Sequence, residues 1–206
     1  MSEVKFEIKG LKELIKTLSP KNFIRVANKI VNDITKKVYK ETIKAIRGKY
    51  NISAERLKKN IKVKPSNYQT LSSQITYRGR TPGLQHFKMR QIVSSGNSSY
   101  LIYSTLKGGI AGRRYRKKKK STSISVEVIK GHRVIVKHAF LLFPRRGGVG
   151  IFKRKGKSRY PIERLYGPSP RGMAKTVGVD KILEKVVNTE GNKILERSLK
   201  RYLRKW

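Results

Sequence analysis

The stretch "SPKNFIRVANKIVNDITKKVYKETIKAIR", residues 19–47, decides the fold that the sequence predicts. Ser19 followed by Pro20 is typical of a helix start, because serine caps free backbone amides and proline suits the first helical position. Apolar residues then recur at steps of three, four or eight, at Phe23, Val26, Ile30, Ile34, Val38 and Ile46. This spacing puts them on one face, so we predict one long amphipathic helix that ends near Arg47.

The opposite face of this helix is rich in lysine, with Lys29, Lys36, Lys40 and Lys44. Two interpretations stay open for it. The plainer one is a face in contact with solvent, and the other is a surface that binds a partner.

Strand patterns flank this helix along the chain. "VKFEIKG", residues 4–10, alternates apolar and charged residues, which predicts a half-buried strand followed by a short helix. After the long helix, "ISAERLKKN" predicts a short helix capped by Ser53. "IKVKP" and "TLSSQITYRG" then predict two strands joined by a turn at residues 65–67.

Two further strands are predicted at "SISVEVI", residues 123–129, and "RVIVKHAF", residues 133–140. The connection "KGH" has hairpin length and contains glycine. Between residues 79 and 121 the pattern weakens, although "SYLIYSTL" within this range is consistent with a strand or a short helix. We therefore expect a long basic loop over about residues 79–121.

Helices are predicted at the carboxy terminus, over about residues 172–206. Ser169 and Pro170 repeat the cap pattern, with Met173 and Val177 four residues apart. A short helix is expected near 181–187 and a last one from 190 to 206, whose apolar face is Leu195, Leu199, Tyr202, Leu203 and Trp206. Trp206 is expected to pack on the protein's own sheet or on a neighbouring subunit.

Together these patterns predict an α+β fold in a single domain over residues 1–206. A long N-terminal amphipathic helix packs on a mixed or antiparallel β-sheet, with C-terminal helices and the long basic loop.

The charge of the chain indicates the class of its partners. Its 206 residues include 51 lysines and arginines against 12 aspartates and glutamates, for a net charge of +39. Such an excess repels itself in an isolated monomer, so an anionic partner is expected. Ribosomal, nucleoid and DNA-contacting virion proteins all meet this condition, because cations that neutralise phosphates release counterions.

Two basic stretches are the predicted contacts to nucleic acid or to an acidic partner. "RRYRKKKK", residues 113–120, has seven cations in eight residues and predicts an extended loop that becomes ordered on a polyanion. "PRRGGVGIFKRKGKSR", residues 144–159, is the second, and it lacks the spacing of a phosphate-binding P-loop. The predicted contact residues are Arg113, Arg114, Arg116, Lys117, Lys118, Lys119, Lys120, Arg145, Arg146, Lys153, Arg154 and Lys155.

The residue types that carry catalysis or bind metals are scarce. The chain has no cysteine, and its three histidines have no partner at the spacing of a metal pair. Glu163, Asp180 and Glu184 are the later carboxylates near the connector at 157–173, and none sits in a metal-nuclease pattern. We therefore expect no enzymatic activity, no metal and no cofactor.

A membrane location is not expected either. The longest apolar run, "AFLLF" at 139–143, is far shorter than the roughly 20 residues that span a bilayer. The amino terminus shows no apolar signal-peptide core, so we expect a soluble protein made in a cytoplasm.

The connector "KSRYPIERLYGPSPRGM", residues 157–173, mixes cations with apolar residues. Tyr160, Ile162, Leu165 and Tyr166 are too apolar for a free loop, so we expect them to dock the connector. Together with "AFLLF" and "GIFKRKG" it resembles the signature of the minor tail protein Z family of tailed bacteriophages and prophages. The matching positions are Phe140, Phe152, Arg154, Pro161, Ile162, Leu165, Gly167, Pro168, Ser169 and Met173.

The resemblance implies a structural virion protein without enzymatic activity, assembled in the cytoplasm of the host bacterium. Such a protein completes the head-proximal end of the tail and joins it to the neck. The implied partners are tail terminator, neck and tail proteins, further copies in a ring such as a hexamer, and genomic DNA in the channel. The matching positions are then subunit contacts. The alternative is a non-specific nucleic-acid-binding protein of ribosomal or nucleoid type.

Overall fold

A computed structural model describes residues 19–95, 100–106, 109–115, 119–142, 148–156 and 158–203. The predicted strand at 4–10, the short helix after it and Trp206 lie outside these residues. The helices are α1 (Pro20–Lys49), α2 (Ala54–Asn60), α3 (Pro170–Val177) and α4 (Val179–Leu203), with a 3₁₀ turn at Leu84–His86. The predicted start of α1 at Pro20 and its amphipathic character are confirmed.

The strands form small antiparallel sheets. Their bounds are β1 (Ile61–Lys64), β2 (Gln74–Tyr77), β3 (Lys88–Ser95), β4 (Tyr100–Leu106), β5 (Gly109–Tyr115), β6 (Lys119–Ile129), β7 (His132–Lys137), β8 (Ala139–Leu142), β9 (Gly150–Arg154) and β10 (Ile162–Arg164). The strand orders are β1-β2, β10-β9-β8, β3-β6-β7 and β4-β5. The α+β fold class is confirmed, and every described pairing is antiparallel.

The chain divides into two compact units, the first built from residues 1–46, 54–79 and 170–206. Its core joins the apolar face of α1 to α4, where Val186 and Leu195 are buried, and Ile75 of β2 packs against the same cluster. The buried residues that α1 contributes to this cluster are Val26, Ile30, Ile34 and Val38. Burial of each such side chain contributes about 1.5–3 kcal/mol, so the predicted apolar face holds this unit together.

Hydrogen bonds fix the loop between β1 and β2 to α1. Asn32 Nδ2 donates to Ser66 O over 3.2 Å, and Ser66 N donates to Asn32 Oδ1 over 2.8 Å. Asn67 Oδ1 accepts from Gln69 N over 3.2 Å, as in an Asx turn. The predicted connection between the two strands is present, but its turn lies at residues 68–70 and not at 65–67.

The second unit comprises residues 47–53 and 80–169. Ile124 and Ile151 are completely buried in it, and Phe87 and Leu141 are nearly so. The hairpin between β6 and β7 turns at Lys130 and Gly131, with Gly131 at φ 81°, as the glycine in "KGH" predicts.

The loop predicted over residues 79–121 needs correction. Strands β3, β4 and β5 and the start of β6 lie in this range, with β4 paired to β5 from Tyr100↔Tyr115 to Leu106↔Gly109. Strand β5, "GIAGRRY", has glycines and adjacent arginines instead of an alternating apolar pattern. Backbone pairing forms this strand where side-chain periodicity gives no signal.

Two predicted element boundaries are also wrong. "RVIVKHAF" is divided between β7 and β8, and the break lies at His138, whose φ of 59° interrupts an extended strand. The helices expected at 181–187 and 190–206 are parts of the continuous α4. Buried Val186 and Leu195 on either side of residues 188 and 189 stabilise this turn despite the low helix propensity of asparagine and threonine.

Candidate functional site

The sheet β8-β9-β10 contains most of the residues that the signature predicts. Ile151 is fully buried on one face, together with Leu141 of β8. Because side chains alternate along a strand, Phe152 and Arg154 lie on the other face. Phe140 pairs with Phe152 in register, and Arg164 of β10 pairs with Phe152 from the other side.

Arginine and aromatic side chains are layered on this second face. The rings of Phe140 and Phe152 stack with centroids 6.4 Å apart. The guanidinium carbon of Arg154 lies 5.5 Å from the Phe140 centroid, and that of Arg164 lies 5.9 Å from the centroids of both Phe152 and Tyr166. These separations suit cation–π interactions, and we call the five residues the arginine–aromatic face.

Gly150 makes room for this arrangement. A Cβ at residue 150 would lie 2.8 Å from Arg164 Nε and 2.7 Å from Phe152 Cε2, closer than side-chain carbons approach such atoms. Arg164 Nη2 donates to Val149 O over 3.0 Å. The Arg164 guanidinium is therefore held in one orientation by a backbone acceptor, two rings and a glycine.

The connector is fixed by backbone hydrogen bonds on both sides. Leu165 N donates to Ile151 O over 2.8 Å, and Leu84 N donates to Leu165 O over 3.1 Å. Gly167 N donates to Pro82 O over 2.8 Å, and Tyr166 pairs with Gly83. The structure therefore supports an ordered connector, as predicted.

The tyrosines of the connector do not dock it. Tyr160 is 65% exposed and Tyr166 is 54% exposed, which contradicts the expectation that they are covered. Arginines cover part of each ring instead, with the guanidinium carbon of Arg159 5.8 Å from the Tyr160 centroid. Ile162 and Leu165 are half-buried. The connector thus presents aromatic surface to solvent.

The other signature residues differ in burial. Pro161 is exposed, whereas Gly167, Pro168 and Ser169 are half-buried. Met173 on α3 is completely buried in the first unit, and its role there is packing. Helix α3 begins at Pro170, as the Ser169–Pro170 pattern predicts.

The predicted cationic contacts lie on different elements. Lys153, Arg154 and Lys155 are exposed at the end of β9 and just after it. Arg113 and Arg114 are in β5, and Lys119 and Lys120 begin β6. The other predicted contacts, Arg116, Lys117, Lys118, Arg145 and Arg146, lie outside the described residues. The described cations thus occupy the β4-β5 hairpin and two separate sheets.

A carboxylate network at Glu127 was not predicted. Asn51 Nδ2 donates to Glu127 Oε1 over 2.9 Å, and Arg133 Nη2 donates to Oε2 over 2.9 Å. The hydrogen bond from Asn51, the amide of Gly131 and the charge of Lys88 lower the Glu127 pKa from 4.5 to about 2. Glu127 therefore acts as an ionised acceptor that fixes the end of β6.

Strand β7 provides a second unpredicted surface. It is an edge strand of the β3-β6-β7 sheet, with Val134 62% exposed and Ile135 56% exposed. Consecutive strand residues point to opposite faces, so apolar surface lies on both sides of this edge. Exposed apolar edges are typical of strands that contact other chains.

Neither a metal centre nor a membrane span is found in the part of the chain that the structure describes. Its His, Asp and Glu side chains do not cluster in groups of three or more that could hold an ion. Within the same residues, no helix combines the length and the apolar content needed to cross a bilayer.

Comparisons with known proteins identify one family. The family model described as prophage minor tail protein Z (GPZ) matches residues 5–206. No curated protein and no solved structure matches the chain.

Proposed function

The chain belongs to the prophage minor tail protein Z family, and from this premise we propose that it completes the head-proximal end of the tail and joins the tail to the neck. Membership of the family gives it a structural role in a phage tail. In the proposal, copies form a ring, such as a hexamer, around the DNA channel next to the tail terminator.

The excess of positive charge is the observation that carries this placement. Even if each of the 12 carboxylates held one cation, the net charge of +39 would remain unbalanced within the chain. A ring of such subunits around a channel presents fixed positive charge to genomic DNA or to acidic neighbouring proteins. A location at the DNA exit of the capsid satisfies this requirement.

The arginine–aromatic face supports protein contacts within the tail. Arginine, tyrosine and phenylalanine are enriched in the cores of protein interfaces, and tyrosine and arginine are enriched among the residues that dominate binding energy. Tyr166 and Arg154 are exposed here, while Arg164 is held by Val149 O. We assign this face to contact with a neighbouring copy or with a neck or terminator protein.

Electron microscopy of phage particles tests the placement directly. A lysogen complemented with a tagged copy should yield particles with label at the junction of head and tail, and mass spectrometry should find the protein in purified virions. Label at the distal tip, or along the whole tube, would contradict the proposal.

The alternative of a ribosomal or nucleoid type of nucleic-acid-binding protein makes the opposite prediction. The protein would then sediment with ribosomes or with the nucleoid of the lysogen and would be absent from purified particles. Fractionation of the same complemented lysogen distinguishes the two roles.

A further inference from the structure

Cations dominate the exposed surface of α1. Between residues 21 and 44, the six most exposed residues are all lysine or arginine. We call this surface the cationic ridge, and its members are Lys21, Arg25, Lys29, Lys36, Lys40 and Lys44. We propose that the cationic ridge binds the phosphate backbone of duplex DNA, without reading its sequence.

The ridge is a rigid, preformed surface. The opposite face of α1 is buried against α4 and β2, where Ile30, Ile34 and Val38 are each only 2% exposed. The ridge spans roughly 35 Å at 1.5 Å per residue, which corresponds to about ten base pairs of duplex. The helix sets the backbone positions of its cations before any partner arrives.

Repulsion within the ridge calls for an anionic partner. Lys21, Arg25 and Lys29 follow one another at i, i+4 spacing, and Lys36, Lys40 and Lys44 do the same. Like charges at this spacing destabilise a helix. The carboxylates of α1 are two: Asp33 lies between the triplets, 4.0 Å from Lys36 Nζ, and Glu41 lies within the second triplet and is only partly exposed. A row of phosphates removes the repulsion and releases counterions.

The composition of the ridge favours DNA over an acidic protein. Protein interfaces have an apolar or aromatic centre, and the six residues of the ridge include neither type. Lys37, on the flank of α1, is paired within the chain to Glu190, with Nζ 2.9 Å from Oε1. Lysine contacts to phosphate oxygens position a protein on DNA and carry no sequence information.

Helix α4 shows that this pattern is not general in the chain. Its exposed lysines alternate with Asp180, Glu184, Glu190 and Glu196 along the helix. It therefore offers a matched control with the same residue type and the same change of net charge. The control lysines are Lys181, Lys185, Lys193 and Lys200, all exposed.

The inference rests on the proposed function, because a tail-completion protein meets DNA. The following experiment tests DNA binding by the ridge separately from the tail-completion role. The full-length protein, a ridge variant with Lys29, Lys36, Lys40 and Lys44 changed to glutamine, and the matching α4 variant are titrated with a duplex of about 20 base pairs over a series of salt concentrations. A third variant changes the same four ridge lysines to arginine.

The ridge variant should bind more weakly, and the slope of log K against log salt should fall by about three to four, near 0.9 for each lost contact. The α4 variant should lose less than half as much, and the arginine variant should keep the wild-type slope. Circular dichroism should show folded protein throughout, since glutamine is a good helix former.

Equal losses in the ridge and α4 variants, or no duplex binding by the wild type at low salt, would overturn the inference. The inference would also be overturned if the ridge variant bound DNA as the wild type does but no longer pulled down an acidic tail protein. Incorporation of the ridge variant into particles, measured by mass spectrometry, reports the proposed function independently. It should stay at the wild-type level.

Discussion

The backbone of Gly167 lies against the ring of Phe87, so that a Cβ at residue 167 would be only 2.6 Å from Phe87 Cζ. Gly167 is not among the described glycines with positive φ, so the close approach of Phe87, and not an unusual backbone angle, requires glycine here. Phe87 is 4% exposed and has little room to move.

Gly167→Ala should therefore lower the free energy of unfolding by about 1–3 kcal/mol, as overpacking of a well-filled core does. Urea titration, monitored by far-UV circular dichroism, measures the change. Gly48→Ala is the control, because this exposed position in α1 has no atom within 4 Å of the added Cβ. The control should be neutral or stabilising by up to about 1 kcal/mol. Equal effects at the two positions would contradict the packing argument.

The Glu127 network predicts a dependence of stability on acid pH. Because the folded state lowers the Glu127 pKa from 4.5 to about 2, the ionised carboxylate contributes stability above pH 4.5. This contribution is lost as the pH falls through about 2. Glu127→Gln should lower the melting temperature at pH 7, and the difference from wild type should shrink as the pH approaches 2.

Asn51→Ala tests the cause of this pKa shift. Removal of the amide that donates to Glu127 Oε1 should raise the folded-state pKa of Glu127, so the acid loss of stability should be smaller than in the wild type and complete at a higher pH. Melting curves at several pH values between 2 and 5 measure both variants. A difference between Glu127→Gln and wild type that is constant over this range would show that the carboxylate charge does not matter.

The sequence predicted those elements whose side-chain pattern is enforced by burial. Val26, Ile30, Ile34 and Val38 revealed α1 because one face of the helix must leave water. Gly131 revealed the β6-β7 turn because its φ of 81° favours glycine. In contrast, β5 is held by backbone pairing, and its sequence "GIAGRRY" contains no periodic signal.

The candidate site was predicted only in part for a similar reason. Phe140, Phe152 and Arg154 were found through the signature. The contact of Arg164 with the Phe152 ring depends on cross-strand register and on the space left by Gly150. Residues that meet only after strands pair are not adjacent in the sequence. The exposure of Tyr160 and Tyr166 was missed because apolar character alone does not distinguish a ring buried in the fold from an exposed ring partly covered by an arginine.

The connector should matter for assembly through its shape and packing. Ile162 and Leu165 are half-buried, and a carboxylate at either position would lose hydration beside the sheet β8-β9-β10. Ile162→Asp or Leu165→Asp should block incorporation into particles, measured by mass spectrometry of virions from complemented lysogens and by plaque counts. The double change Lys157→Ala and Arg159→Ala should be tolerated, because Arg159 is exposed and an exposed cation contributes little. The reverse result would make the connector an electrostatic clamp.

Arg164 offers the sharpest test of the arginine–aromatic face. Its planar guanidinium lies 5.9 Å from the centroids of Phe152 and Tyr166 and donates to Val149 O. Lysine keeps the charge but loses the planar group that stacks on rings, so Arg164→Lys should reduce incorporation into particles about tenfold or more, the equivalent of at least 1.4 kcal/mol.

Arg159→Lys is the matched control, since Arg159 is exposed and lies over the ring of Tyr160, with no second ring in contact among the described residues. It should incorporate at the wild-type level. Far-UV circular dichroism of both purified variants separates a lost contact from a lost fold. If Arg164→Lys assembles as well as Arg159→Lys, charge alone suffices at this position, and the stacked geometry of the arginine–aromatic face has no part in assembly.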